Sequence, residues 1–478
     1  MAETRTEQDF LGKKEVPIDA YYGVQTMRAI ENFPITGYRL DDDMIKAYAI
    51  VKKAAARANC EVGLLDETKA KYIMQAAQEV IDGKLHDQFM VDPIQGGAGT
   101  SINLNTTEVI ANRALELMGA KKGDYKTISP NSDVNKSMST NDSFPTAIHL
   151  SCLMHLKRVL PVLQQVHDDF LAKSKEFDQV IKMGRTHLQD AVPVRLGQEF
   201  AAYAHVLERD IDRLTKVQND LYPVNMGGTA IGTGLNSEPE YIKKVVQYIA
   251  EYSGFPMEHD EDMIDGTQNL DAYLVLSGAM KTCMLDMTKV MSDLRLMTSG
   301  PRCGLHEINL PARQPGSSIM PGKVNPVMCE VVNQSCYQIC GNDLTVSLGC
   351  ENGQFELNVM EPVIAFNLLQ SLSIMEHVFT VFDKYCLQGI TANEDQCKYW
   401  LDRSVGVITA LNPHVGYETA ALTAKEAYET GRPVREVIVD RGVLTKDEVD
   451  TILHPMEMTT PGVAGKELLE KKTNKKIL

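Results

Sequence analysis

Three stretches of this chain concentrate the small hydrogen-bonding side chains that bind anions and steer protons. The first is Ser137-Met138-Ser139-Thr140-Asn141-Asp142-Ser143-Phe144-Pro145. Ser, Thr, Asn and Asp are helix N-cap residues and Pro145 suits an early helical position, so hydroxyls and unpaired backbone amides crowd one helix end. Those amides and the helix dipole attract anions; the plain alternative is a well-capped helix without a ligand. The second stretch, Gly184-Arg185-Thr186-His187-Leu188-Gln189-Asp190-Ala191-Val192-Pro193, is a polar break between two apolar-periodic regions. Its His187, beside Thr186, is either a ligand-handling imidazole at a bundle end, where clefts form, or a satisfied structural histidine. The third is Gln314-Pro315-Gly316-Ser317-Ser318-Ile319-Met320-Pro321-Gly322-Lys323-Val324-Asn325-Pro326. Gly316 and Gly322 are hinges around Ser317, Ser318, Lys323 and Asn325, and a loop so equipped reads as a lid or binding loop rather than a bare connector. A fourth, Gln95-Gly96-Gly97-Ala98-Gly99-Thr100-Ser101, lacks the Gly-Lys-Ser/Thr ending of a phosphate-binding loop, which argues against a nucleotide.

Long helices must hold these segments in place. Leu276, Met280, Cys283, Met287, Val290, Leu294 and Met297 are spaced alternately four and three residues apart, a heptad seam of helices packed at shallow angles. Phe200, Ala204, Leu207, Ile211, Leu214 and Leu221 repeat the period, as do Leu153, Leu156, Leu160, Leu163, Val166 and Phe170. Pro161 is expected to kink or break that last helix. Alternating β-branched strands are scarce, and 23 methionines against one tryptophan suit an adaptable helical core. The expected fold is mainly α: a mixed helical N-terminal domain over residues 1–140, a long-helix bundle over 141–394 and a small helical C-terminal domain over 395–478. Seams on more than one face of a helix cannot all be buried in one subunit, so an oligomer is expected.

At 478 residues the chain exceeds one ordinary core. Its 44% apolar and 23% charged residues exclude disorder and low complexity. The formal net charge of −16 argues against nucleic acid and anionic membranes as partners, because phosphates need a local excess of cations. No signal peptide opens the sequence and no apolar run reaches the roughly twenty residues of a membrane span, so a cytoplasmic protein is expected. The ten cysteines show no CxxC pair and read as reduced thiols. Cys329, Cys336 and Cys340 share a helix face but lack a fourth ligand, so no metal is expected.

Taken together, Gly316-Ser317-Ser318-Ile319-Met320-Pro321-Gly322-Lys323-Val324-Asn325-Pro326 resembles the signature loop of the aspartase/fumarase superfamily, and the likeness runs over nearly the whole chain. Four flanking segments resemble the aspartase branch more than class II fumarases. Asp19-Ala20-Tyr21-Tyr22-Gly23-Val24-Gln25-Thr26 stands where fumarases usually have a Leu-Trp-Gly type of sequence, and Ser139-Thr140-Asn141-Asp142 replaces Ser-Ser-Asn-Asp. Leu357-Asn358-Val359-Met360-Glu361-Pro362 carries an acid where fumarases have Phe-Lys-Pro, and Gly96-Gly97-Ala98-Gly99-Thr100-Ser101 is the aspartase form. Two positions depart from relatives: Cys329 where proline is common, and Asp133 where histidine is common.

The resemblance implies a three-domain subunit and a homotetramer whose central helices form one bundle, with active sites built from three subunits and no cofactor. It implies a reversible anti elimination of ammonia from L-aspartate, giving fumarate through an enediolate, with hydration of fumarate as the alternative chemistry. A helical protein that kept the fold without activity is the third reading, and the intact Ser317, Lys323 and Asn325 argue against it. By the same resemblance Ser317 is the general base, its oxyanion stabilised by the Gly322 amide and Lys323. Thr100, Ser139, Thr140 and Ser318 donate to the β-carboxylate, an oxyanion-hole type of stabilisation. Lys323 and Asn325 hold the α-carboxylate with help from Thr186 and His187; Asn141, Thr186 and His187 hold the departing ammonium group; and Glu330 pairs with His187.

Overall fold

The computed structural model describes residues 3–475. Among these, nineteen α-helical segments dominate, and the eight short strands pair only two by two. The elements that bear on the site are α1 (Asp42–Glu61), α2 (Thr100–Leu117), α3 (Thr140–Glu176), the hairpin β1 (Ile181–Thr186) and β2 (Gln189–Arg195), α4 (Leu196–Lys216), α5 (Asp271–Met297), α6 (Val327–Glu351) and α7 (Glu361–Tyr385).

Heptad spacing explains the long helices. All seven residues from Leu276 to Met297 in the α5 seam are buried, and burying each such side chain contributes about 2 kcal/mol. On α3 the residues Leu153, Leu156, Leu163, Val166 and Phe170 are fully buried. That run leaves no break at Pro161: α3 is one helix of 37 residues with Pro145 and Pro161 inside it. Proline removes one backbone hydrogen bond and crowds the preceding turn, but buried apolar residues on both sides keep the chain helical.

By internal contact density the chain divides into two compact units. One comprises residues 1–161, 210–285 and 335–377, and the other 162–209, 286–334 and 378–478. Both draw on the same long helices. Within the second unit the C-terminal helices have a core of their own, centred on Leu411, Val437, Ile438, Val449 and Ile452.

Two further findings refine the sequence reading. The stretch Glu361–Gly389 passes for a membrane span by length and composition alone, but polar and charged residues interrupt it and more than half of its most apolar window is buried inside the protein. Conversely, Leu274, Leu285 and Leu296 on α5, and Tyr337, Leu344 and Leu348 on α6, remain between 37% and 64% exposed. They recur at helical spacing as second apolar seams, left uncovered by a single chain.

The acid excess has a local cost. Burial and the charges of Asp265, Asp262 and Asp271 push the Asp260 carboxyl up to about 6. A carboxyl with a raised folded-state pKa favours folding at low pH, and that contribution is lost as pH climbs from the ordinary carboxylate range through 6. Asp260→Asn is therefore expected to stabilise the protein at pH 7 by about 1–2 kcal/mol, allowing for partial solvent screening. The gain should vanish near pH 4, as measured by urea unfolding of both proteins at the two pH values.

Candidate active site

The first group of candidate residues lies where α2 and α3 begin. Ser139-Thr140-Asn141-Asp142 caps the helix from both sides: Ser139 Oγ accepts from the Asn141 amide at 3.2 Å, and the Asp142 carboxylate accepts from the Ser139 amide at 2.9 Å. Pro145 has no N–H to give to the carbonyl of Asn141, and Asn225 Nδ2 takes that carbonyl instead at 3.0 Å. Asn141 Nδ2 donates to the Ala230 carbonyl at 2.7 Å, which leaves its Oδ1 as the outward-facing acceptor.

Gly99 sets the distance between the two helices. It sits at φ +88°, and a Cβ there would come within 2.3 Å of the Phe144 ring on α3, so only glycine permits the approach. Asn103 of α2 then reaches Thr140 of α3, donating from Nδ2 to Oγ1 at 2.9 Å. Thr100, the first residue of α2, is exposed and donates its hydroxyl proton to the Gly97 carbonyl at 2.6 Å. A bound carboxylate has to draw that proton away before Thr100 can serve it.

Beneath these hydroxyls lie two buried charges. Asp142, fully buried, also accepts from the amides of Gly227 and Thr229 at 3.1 Å each. Burial pushes its carboxyl up to about 7 against those amide donors and the charge of Lys52. Lys52 on α1, also fully buried, donates to Asn103 Oδ1 at 2.6 Å, Asn135 Oδ1 at 2.7 Å and Met138 Sδ at 3.1 Å. Burial draws its ammonium down to about 7, opposed by Asp142.

A second group occupies the β1–β2 hairpin. Its two-residue tip is His187-Leu188, with φ of +55° and +59°. That backbone suits the right-handed twist of a hairpin but normally falls to Asn-Gly, so side chains held there are strained. Thr186 and His187 are exposed, and neither side chain has a hydrogen-bond partner within the chain. A bulge between Met183 and Arg185 bends β1; at Gly184 a Cβ would lie 2.6 Å from the Val192 carbonyl. The hairpin is fastened below its tip. Met183 joins the C-terminal core. Arg185 Nη1 meets Glu307 Oε1 at 2.8 Å, and Lys182 Nζ meets both Glu307 Oε2 and Glu199 Oε2 at 3.0 Å. Burial opposes the Lys182 charge, but Glu199 and Glu307 outweigh it and hold its pKa above the ordinary lysine value.

The third group is the loop over residues 314–326. The Gly316 amide donates to the Lys323 carbonyl at 2.7 Å and Asn325 Nδ2 to the Gly316 carbonyl at 3.0 Å, closing the loop at its base. One amide proton of Asn325 stays free. The side chains of Ser318 and Lys323 are exposed and without partners. Ser317 Oγ accepts from two backbone amides, those of Ile319 at 3.2 Å and Met320 at 3.0 Å. The Gly322 amide makes no hydrogen bond within the chain, and Gly322 turns the loop at φ +83°. Glu330, in the first turn of α6, makes no ion pair with His187 within one chain: the histidine sits on a hairpin tip and the glutamate on a helix.

Sequence reading thus missed Lys52, Asn103, Glu307 and the amides of Ile319 and Met320. Lys52 had a visible signal: it stands at a core position in the run Ile45, Tyr48, Ala49, Lys52, Ala55, Ala56. Among the described residues one carboxylate–imidazole group has metal-like spacing, Asp41, Asp43 and His155. Asp41 also caps α1, and Asp43 meets Arg158 Nη1 at 2.6 Å.

Comparison with known proteins places this geometry. A lyase family model matches residues 12–341, and a fumarase C C-terminus model matches residues 407–460. An aspartate ammonia-lyase of Bacillus subtilis (strain 168) is 61% identical over 469 residues, covering 98% of this chain and 99% of the relative. An aspartate ammonia-lyase of Bacillus sp is 60% identical over 465 residues, covering 97% and 99%. A solved fumarate lyase:delta crystallin from Brucella melitensis bound to cobalt superimposes with a TM-score of 0.94 at 46% identity, covering 96% of this chain and 100% of that one.

Proposed function

The chain belongs to the aspartase/fumarase superfamily of lyases, and from that premise we propose that it is a carbon–nitrogen lyase, deaminating L-aspartate reversibly to fumarate and ammonia. The observation that carries this reading is the 61% identity, over nearly the full length of both chains, to an aspartate ammonia-lyase.

The difficult step is removing a proton from the carbon that bears the β-carboxylate. The Ser317 alkoxide takes the proton, and the electron pair of the broken C–H bond delocalises into the carboxylate as an enediolate. That pair then forms the C=C bond of fumarate as the C–N bond breaks, and nitrogen leaves with its own pair as ammonia. Two amides on Ser317 Oγ support the role of base, because hydrogen bonds to the charged form lower the cost of making it. Ser139 and Thr140 already use a lone pair each to accept, so each keeps its hydroxyl proton for the enediolate oxygens. Thr100 and Ser318 complete that set. Lys323 and the free amide proton of Asn325 bind the α-carboxylate, while Asn141 Oδ1, Thr186 and His187 receive the ammonium.

We read the second apolar seams on α5 and α6 as contacts in a homotetramer of three-domain subunits with active sites shared between them. In that assembly Glu330 and His187 meet across subunits, and the enzyme is a cytoplasmic one without cofactor.

The test is direct. With L-aspartate, fumarate absorbance in the ultraviolet should rise at a rate typical of enzymes, about 1–1000 per second. With L-malate the rise should be at least about 1000-fold slower. Turnover of malate in preference to aspartate would make the protein a fumarase and sink the proposal.

A further inference from the structure

The Thr140 hydroxyl has one proton and two lone pairs, and which way the proton points decides whether it can serve a substrate carboxylate. In the next turn of α3, Ser143 Oγ donates to the Ser139 carbonyl at 2.6 Å and Thr146 Oγ1 to the Asp142 carbonyl at 2.7 Å, the ordinary fate of a hydroxyl in a helix. Thr140 is the first helical residue, so no helical carbonyl lies four positions before it. Its Oγ1 instead accepts from Asn103.

The orientation of the Asn103 amide is fixed from behind. The amine of Lys52 lies 2.6 Å from one end of that amide. An ammonium has only donors, so the end it touches is the oxygen and the NH2 must face Thr140. An uncharged amine would still keep two N–H bonds, enough to donate to both the Asn103 and the Asn135 oxygens. Lys52 is fully buried and Asn103 is 2% exposed, so water cannot substitute for either.

The geometry points to Asn103 as a positioning residue, held by Lys52, that commits the Thr140 hydroxyl to donate its proton to the substrate carboxylate. The inference rests on the reading above that Thr140 is one of the enediolate donors. It adds a two-residue relay, Lys52 to Asn103 to Thr140, in which only the last member touches substrate.

Asn103→Asp tests it. The variant keeps size and shape, and the new carboxylate pairs with Lys52, so a merely structural role survives. It presents only acceptors, however, and Thr140 must turn its proton inward. The expected result is a fall in kcat for L-aspartate on the order of 100-fold, the loss for one oxyanion donor. KM should change less than about threefold, with thermal unfolding unchanged or raised. In a Thr140→Val background, the further loss from Asn103→Asp should shrink to about twofold or less. Lys52→Met should follow the same pattern in both backgrounds. A loss of equal factor with and without the Thr140 hydroxyl would overturn the relay while leaving Thr140 as a donor. Wild-type kcat in Thr140→Val would overturn the donor assignment itself, and the relay with it.

Discussion

Replacing Ser317 with alanine is expected to lower kcat for L-aspartate at least about 1000-fold, within the range for loss of a general acid or base. Binding of succinate, which offers two carboxylates and no amine to eliminate, should stay within about threefold of wild type. The separation follows from what Oγ touches. It meets no substrate-binding side chain and no core residue; its partners are the amides of Ile319 and Met320 in the same loop. The loop base, closed by Gly316, Lys323 and Asn325, does not involve it. Alanine therefore removes the proton acceptor and leaves both the frame and Lys323 in place. A serine hydroxyl is a poor base in water, so in the proposed mechanism the two amides stabilise the alkoxide without adding a titrating side chain. Fumarate formation in single turnovers and succinate inhibition of the wild type, set against direct succinate binding to the variant, measure the two halves. If more than a few per cent of wild-type turnover survives, the base is another group.

The contrast between that loop and its surroundings explains what could be read in the sequence. The α5 seam was legible because heptad spacing is a local pattern that packing then confirms residue by residue. The helix cap at Ser139 was legible for the same reason, since its partners lie two and three positions apart. Pro161 does not break its helix, because a proline penalty of about 3 kcal/mol is outweighed when a helix buries large apolar residues on both sides of it. The amides on Ser317 were invisible because a backbone donor has no side-chain signature. Asn103 and Glu307 were missed because their partners are remote in the chain: Thr140 for one, Lys182 and Arg185 for the other. The roles carried over by resemblance fall on the residues proposed to touch substrate and pass over those proposed to aim them.

Glu307→Gln is expected to destabilise the protein by about 3 kcal/mol and to lower kcat together with it. Glu307 is fully buried and divides its carboxylate between Arg185 and Lys182, while Glu199 holds the other side of Lys182. Two cations and two carboxylates thus balance in a place water barely reaches. Removing one charge leaves a buried cation without its partner, which costs about 3–5 kcal/mol; the retained amide oxygen of glutamine brings the figure to the lower end. The effect should reach the hairpin tip, because Lys182 and Arg185 flank the bulge that aims Thr186 and His187. Whether the network stabilises or aims is separable. Lys182→Met in the Glu307→Gln background removes the uncompensated lysine, so urea unfolding should recover by 1 kcal/mol or more, in line with apolar replacement of buried ion pairs. Activity should not recover, since Arg185 still lacks the carboxylate that orients it and the strained turn at His187 has lost its brace. Return of kcat along with stability would mean that the network only holds the fold, and that the hairpin tip finds its position without it.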